Sequence, residues 1–532
     1  MSIEYTDAGS VTQSLTEKFE DLAVGDVSIS VREKEKIFLK PDDELTGERK
    51  CGDCYIFDYQ KFKKEGASRP GSENDVARLK HVFSALNFNV YADYLNLTKE
   101  ETLDALKEAA KKDHTQSKYF VCCFLTHGKE GKLLMFDKFI KIDDILQCFS
   151  RSSCETLAGK PKIFIFQACR GNCCEGGVPI DSTDFGGSVK ENPDYLDFLI
   201  AYSTYEGKVS FKTKDPSGSQ NNHGSYFIDE LCRTLEQFSE DLDLLQILTI
   251  ANYRVAYLFE TQKTRNEEFR NKKQMPGFTS RLRNEVKFNR KIKMFESLHT
   301  QYFDYRRRKT SLGLKSTETP LEDKKMYNIQ KCKRIKFLLL LNTRDNFERD
   351  LTYSIANLWS SLAVKGYQKE EKRNWSGKEL MNFLIEVSSR DFSNTDCFIC
   401  FIICKSKGDY LYDKPKIFVF LLSSPAKKSW WPCVSAESTD GGSGSMIPVH
   451  ADILEIVITT EESQQLQGVI EKFRNIFGRS CGDILSQLTK LNDELFKDYG
   501  FYSSSSKNLS TFSFNSTLTK TLTIGNTKCK GS

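Results

Sequence analysis

The sequence predicts an α/β protein, a largely parallel sheet with helices over both faces, laid down twice in tandem. Three observations carry this expectation. The segments Tyr119–Leu125 and Lys162–Phe166 are continuous strand-like runs, apolar as strands buried on both faces are. Stretches with helical periodicity alternate with them, the pattern of a parallel sheet with crossover helices. The pattern then recurs. Pro161-Lys162-Ile163-Phe164-Ile165-Phe166 has a near copy in Pro415-Lys416-Ile417-Phe418-Val419-Phe420.

Residues 1–48 are polar and weakly patterned, a short flexible leader with no room for a helical recruitment domain. Order is expected from Cys54-Tyr55-Ile56-Phe57, a β-rich run. A helix follows over Asn74–Leu86, with Val76, Leu79, Val82 and Phe83 on one face. Phe88-Asn89-Val90-Tyr91 reads as a strand, and Thr98 with Glu101 forms a capping box that opens a second helix. After the two apolar strands, residues 172–195 are rich in Gly, Asp, Ser and Pro, an exposed linker. A strand over Leu196–Ser203, helices over Gly224–Phe238 and Leu242–Leu258, and a strand over Gly277–Val286 complete the first domain, 49–290. Residues 291–327 are a second linker.

The second domain, 328–526, repeats the order. Lys336–Leu341 answers Cys54–Tyr59, Leu351–Leu362 answers the first helix, and Cys397–Ile403 answers Tyr119–Leu125. Even the linker recurs, Ser182-Thr183-Asp184-Phe185-Gly186-Gly187 against Ser438-Thr439-Asp440-Gly441-Gly442.

Composition narrows the function classes. In 532 residues, 77 basic and 73 acidic side chains leave a net charge of +4, a balance that argues neither for nor against nucleic acid, and no nucleic-acid partner is expected. The densest basic run, Arg306-Arg307-Arg308-Lys309, reads as solvated linker. No run approaches the ~20 apolar residues of a membrane helix, and Met1–Val24 lacks the apolar core of a signal peptide. No membrane association is expected, and a cytoplasmic location is. The 17 cysteines are then buried thiols rather than disulfides. Cys51/Cys54 and Cys397/Cys400 lack the second pair a zinc site needs. No metal or cofactor is expected.

The chemistry gathers in the first domain. Lys162–Phe166 runs into Gln167-Ala168-Cys169-Arg170-Gly171, placing Cys169 at the C-terminal end of a strand, where α/β sheets carry their sites. Tyr119–Leu125 runs into Thr126-His127-Gly128. If these strands are neighbours, His127 and Cys169 project from one edge. An imidazole there can take the thiol's proton and later protonate a leaving amine. Backbone N–H groups of Gly128 and Cys169 can hold an oxyanion, worth about 3 kcal/mol per donor.

These residues resemble the caspase family. The likeness spans about residues 50–290 and includes Ser68-Arg69-Pro70-Gly71-Ser72, Thr126-His127-Gly128, Gln167–Gly171, Tyr202-Ser203-Thr204 and Gly224-Ser225-Tyr226-Phe227. It implies a mostly parallel six-stranded sheet flanked by helices in each domain. It also implies an aspartate-directed cysteine endopeptidase that acts in apoptosis or related signalling. Arg69 and Gln167 match walls of the pocket for the substrate aspartate. Within Val209-Ser210-Phe211-Lys212, Ser210 and Phe211 match substrate-contacting positions, and Lys212 stands where the family has arginine. Lysine keeps the charge and loses the planar fork. The resemblance further implies a zymogen cut between a large part, 49–180, and a small part, 195–290. Asp181 or Asp184 is the cleavage site. The short leader leans toward a downstream executioner role.

In the second domain the matching positions hold Lys405 and Ser423, its one histidine, His450, does not match the base, and nothing matches Arg69, so the site is lost. The resemblance implies pairing of caspase domains through their last strands, here Phe278–Leu282 and Phe514–Leu518. That pairing can be intramolecular, with the inactive domain regulating the active one, or intermolecular. The alternative function is a non-catalytic decoy that binds other caspases.

Overall fold

The computed structural model describes residues 50–63, 68–129, 131–170, 195–205, 208, 210, 212–214, 222–259, 273–293, 326–328, 335–342, 353–358, 360, 368–373, 375–376, 379, 382–383, 386–387, 390, 397–405, 415–423, 453–459, 463–478, 482–499, 511–518 and 521–524. The first elements in the chain are β1 (Gly52–Asp58), α1 (Ser72–Ala85), β2 (Phe88–Leu95), α2 (Lys99–Lys111) and β3 (Tyr119–Leu125). Next come β4 (His127–Lys129), β5 (Lys132–Leu134), β6 (Phe139–Lys141), α3 (Ile142–Gln147) and β7 (Lys162–Gln167). Then follow β8 (Phe198–Tyr202), β9 (Lys212–Lys214), β10 (Asn222–Ser225), α4 (Tyr226–Phe238), α5 (Leu244–Leu258) and β11 (Gly277–Ser280). The expected capping box is present. Thr98 accepts from the Glu101 N–H, and Glu101 accepts from the Thr98 N–H, at the start of α2.

Strands β2, β1, β3, β7 and β8 are parallel neighbours in that order, and β11 closes the group antiparallel to β8. The sheet is apolar on both faces, because its strands are covered on both. Cys54, Ile56, Val121, Cys123, Ile163 and Ile165 face one side, packed with Leu79, Val82 and Phe83 of α1 and Leu231 and Leu235 of α4. Tyr55, Phe57, Phe120, Phe124, Phe164 and Phe166 face the other, with Leu106 of α2 and Ile145 of α3. The rings on that face stack, with Phe57 and Phe124 centroids 4.7 Å apart.

One expected boundary moves. The strand predicted over Gly277–Val286 stops at Ser280. Beyond it the chain leaves the ladder, and Arg283 makes a two-armed ion pair with buried Asp197 at 2.7 and 3.1 Å.

The C-terminal half contributes β12 (Met326–Asn328), β13 (Ile335–Asn342), β14 (Gln368–Arg373), β15 (Cys397–Lys405), β16 (Pro415–Ser423) and β17 (Ile453–Thr459). After these come α6 (Ser463–Gly478), β18 (Gly482–Asp483), α7 (Ile484–Tyr499), β19 (Thr511–Ser516) and β20 (Thr521–Ile524). Six of these strands extend the same sheet in the order β14-β13-β15-β16-β17-β19, and β19 joins β11. Phe278, Thr279 and Ser280 lie antiparallel to Ser516, Asn515 and Phe514. Thr279 Oγ1 donates to Asn515 Oδ1 at 2.5 Å. Asn492 of α7 reaches back with Nδ2 to the carbonyls of Arg281 and Leu282, at 3.0 and 3.1 Å. One apolar cluster runs unbroken across this seam, from Leu199 and Phe278 to Phe514 and Ile456. The outer strand β14, Gln-Lys-Glu-Glu-Lys-Arg, is charged and exposed, a composition that discourages further edge pairing.

This half is not the mostly parallel sheet that the repeat predicts. Strand β13 is parallel to β14 and β15, but β16 is antiparallel to both β15 and β17. The cause is the connection 406–414, because a parallel return needs a crossover of a dozen or more residues. The near-identical hexapeptides therefore run in opposite senses relative to the strand before them. The expected equivalence of Ser423 to Cys169 fails for the same reason. Lys405 pairs with Pro415, whereas Ser423 pairs with Cys397 at the far end of the hairpin. At ~3.4 Å per residue the two are roughly 27 Å apart, so they form no site.

Candidate active site

Strands β3 and β7 are direct neighbours, with Leu125 opposite Gln167, and the Thr126 N–H donates to the Gln167 carbonyl at 3.1 Å. His127 and Cys169 follow two residues beyond that pair, at the same sheet edge. The His127 backbone then enters a small sheet, β4-β5-β6, while its ring lies 4.9 Å from that of Phe62, tilted by 42°. Glycine at 128 is dictated by space. A Cβ there would lie 2.7 Å from the Cys169 carbonyl oxygen and 3.0 Å from that of Lys132. Without it the β4 backbone lies directly against the turn at Ala168-Cys169.

Cys169 is half-buried. Its Sγ accepts from the Ser210 N–H at 3.4 Å and lies 3.8 Å from the Ser210 carbonyl. Burial pushes the thiol above its ordinary 9.0, while the Ser210 N–H and the Arg69 charge pull the other way. At neutral pH the resting group is a thiol. Gln167 is buried and donates Nε2 to Ser210 Oγ at 2.8 Å, and its Oε1 has no hydrogen-bond partner.

Arg69 is buried at 4% exposure. Its backbone N–H donates to the Gln60 carbonyl, fixing where the side chain enters. Burial lowers its pKa from the usual arginine range, opposed by the charges of Asp75 and Asp58. Nη1 is 3.9 Å from Asp58 Oδ1, too far for a hydrogen bond, and neither Nη1 nor Nη2 has one. Asp58 is instead occupied by Ser72 Oγ at 2.6 Å and Gln60 Nε2 at 2.7 Å. The guanidinium is thus a buried cation with two unused donors. A carboxylate entering beside it would be held by charge and by a two-pronged hydrogen bond.

Several supporting residues escape sequence reasoning. Ser203 Oγ accepts from the Ala168 N–H at 3.2 Å and lies 3.0 Å from the Ala168 carbonyl, clamping the residue before Cys169. The sequence marks Tyr202-Ser203-Thr204 only as part of the resemblance and assigns it no role. Asp75 accepts from the Ser225 N–H and Oγ at 2.7 and 2.6 Å, tying α1 to the start of α4. Gly224 makes room for that contact, with φ of +80° and a hypothetical Cβ only 2.6 Å from Asp75 Oδ1. No periodicity or motif signals Asp58 or Asp75.

Arg69, His127, Gly128, Gln167, Cys169 and Ser210 therefore share one edge. Lys212 begins β9, opposite Ser225 of β10. Phe211, Asp181 and Asp184 lie outside the described residues. Among the described residues no group of side chains could hold a metal ion, and no helix is long and apolar enough to cross a membrane.

A family model described as "Caspase domain" matches residues 51–287. Caspase-7 of Gallus gallus is 35% identical over 249 residues, 45% of this chain and 78% of that protein. Caspase-3 of Mesocricetus auratus is 36% identical over 241 residues, 44% of this chain and 83% of that protein. A solved structure, Caspase-1 from Spodoptera frugiperda, is 31% identical, with a TM-score of 0.41 over 47% of this chain and 99% of its own. The chain belongs to the caspase family.

Proposed function

We propose that the N-terminal half is a cysteine endopeptidase that cuts proteins after aspartate, in the cytoplasm, in apoptosis or related signalling. The observation that carries this reading is the Arg69 guanidinium, buried, with two unused donors, beside Gln167 and the Cys169 thiol. Arg69 and Gln167 grip the substrate carboxylate. Cys169 gives its proton to His127 and Sγ attacks the scissile carbonyl carbon. The oxyanion is held by the backbone N–H groups of Gly128 and Cys169. His127 returns the proton to the departing amine, and water hydrolyses the acyl-enzyme by the same route in reverse. Cleavage at Asp181, with Asp184 second, separates the large and small parts.

On this reading, 49–290 is the catalytic domain, and 328–526 is a non-catalytic caspase-like domain that pairs with it and regulates it. Antiparallel contact between β11 and β19, with Asn492 on the carbonyls of 281 and 282, supports intramolecular pairing. Covalent linkage would raise the effective concentration of the partner to roughly millimolar.

A second reading is favoured by Lys212, which replaces the family's arginine, and by the thiol seated on the Ser210 backbone. This reading is a non-catalytic decoy that binds other caspases. Cleavage of fluorogenic tetrapeptides ending in aspartate, by wild type and Cys169→Ala, separates the two. Activity that depends on Cys169 establishes the protease. None from folded protein, whether or not it is cut near Asp181 or Asp184, establishes the decoy.

A further inference from the structure

The small sheet that carries His127 has an outer face of which the steps above use only His127. His127 lies opposite Leu134, and Leu134 opposite Phe139. Lys129 lies opposite Lys132, and Lys132 opposite Lys141. Residues directly opposite share a face. The inner row, Leu133 and Ile140, is buried. Lys129, Lys132, Phe139 and Lys141 are exposed, and His127 and Leu134 are half-buried. The outer face is therefore an apolar row led by His127 and, one pleat repeat away, a row of three lysines. Lys129 Nζ stands 5.5 Å from the Phe139 ring centroid, so the rows meet.

Among the described residues, none of the three lysines has an ion-pair partner. Asp137 at the β5–β6 turn and Glu100 of the neighbouring α2 are already engaged. Asp137 accepts from the Lys99 N–H at 2.8 Å, and Lys138 reaches Glu100 at 3.4 Å. Like charges directly opposite one another on adjacent strands are destabilising. A row of three carries that cost in the free protein, and a bound anion removes it.

Direction follows from the proposed chemistry, on which this inference rests. His127 protonates the leaving amine, so the chain beyond the cut departs on the His127 side, while Arg69 and Gln167 hold the aspartate. We infer that the outer face of β4-β5-β6 binds the substrate segment that follows the cleaved aspartate, and selects one with an acidic and an apolar residue in its first few positions. Two strand spacings of ~4.8 Å and one pleat repeat of ~7 Å are spanned by about three or four extended residues. The chain's own Ser182-Thr183-Asp184-Phe185, which follows Asp181, has this composition.

The test uses the full chain and peptides identical up to the aspartate, followed by acidic-apolar, neutral or basic-apolar segments. Wild type should favour the acidic peptide over the neutral one by about five- to tenfold in kcat/KM, falling with added salt. In Lys129→Glu/Lys132→Glu/Lys141→Glu the order should invert, with the basic peptide preferred. Competition binding to Cys169→Ala protein should follow the same order without turnover. Equal kcat/KM and equal binding for all three peptides in wild type, or an unchanged preference in the triple variant, would overturn the inference and leave the protease intact. Lysine-dependent binding of the acidic peptide without any cleavage would sustain the surface and remove the protease.

Discussion

Asp483 gives the seam between the two halves of the sheet a pH dependence that can be worked out. It ends β18 and precedes α7, with Oδ2 accepting from the Ser486 N–H at 3.4 Å and Oδ1 buried without a partner. Asp243, which N-caps α5, and Glu285 belong to the other half of the chain and face it. Glu285 is held by Ser486 Oγ and by Lys287 at 2.9 Å, with Lys490 nearby. Burial first, then the charge of Asp243, pushes the Asp483 carboxyl from its ordinary 3.8 to about 7.

A carboxyl whose folded pKa is raised favours the protonated fold. Its contribution is intact below about 3.8, declines as pH rises, and is gone above about 7. Between about pH 5 and pH 7 this amounts to at most about 3 kcal/mol, roughly a tenfold change in the folding equilibrium per pH unit. Water reaching the half-buried side chain reduces it to about 1 kcal/mol. Asp483→Asn removes the titration. Urea unfolding of both proteins at about pH 5 and pH 8 should show the variant gaining that much relative stability at the higher pH. A difference that does not change with pH would refute the reasoning, and with it the docking of α7 against 281–287.

Two further outcomes follow from buried charges. Arg69→Gln should cut kcat/KM on aspartate substrates at least about a hundredfold, the loss of charged hydrogen bonds worth about 3 kcal/mol. The same variant should slow Cys169 alkylation by iodoacetamide at fixed pH, because removing the cation raises the thiol pKa further. Faster alkylation would contradict the geometry. Arg283→Met should destabilise by about 3–5 kcal/mol in chemical denaturation, since it strands a buried carboxylate. Burial raises the Asp197 pKa, but Arg283 outweighs it and holds the value below 3.8. The pair's contribution is therefore present above that pH and fades as pH falls through the folded value.

Cys169 and His127, the proposed nucleophile and its partner, are legible because each sits where an apolar strand stops. The run of β3 ends in Thr126-His127, that of β7 in Gln167-Ala168-Cys169, and parallel neighbours bring both ends to one edge. The seam strands are legible only through the family resemblance. The surroundings of Arg69 are not legible, because Asp58 of β1, Ser72 and Asp75 of α1 and Ser225 of β10 converge from three elements far apart in the chain. Strand direction is not written in strand composition either. The hexapeptides at 161 and 415 are nearly alike in letters, and only the length of chain before each decides whether it returns parallel.

That distinction bears on whether the C-terminal half could be given activity. If composition were the obstacle, restoring the two side chains would restore a site. The hairpin makes geometry the obstacle. Lys405 leaves β15 beside Pro415, and Ser423 ends β16 beside Cys397, roughly 27 Å away at ~3.4 Å per residue. Proton transfer between two side chains needs about 3 Å, or one bridging water. In a Cys169→Ala background, Lys405→His with Ser423→Cys should therefore give no cleavage after aspartate at any pH between about 6 and 9. The new thiol should alkylate at the rate of an unassisted cysteine, with no inflection from an imidazole near pH ~6.5. Turnover blocked by iodoacetamide in that variant would mean that β16 runs parallel to β15 after all.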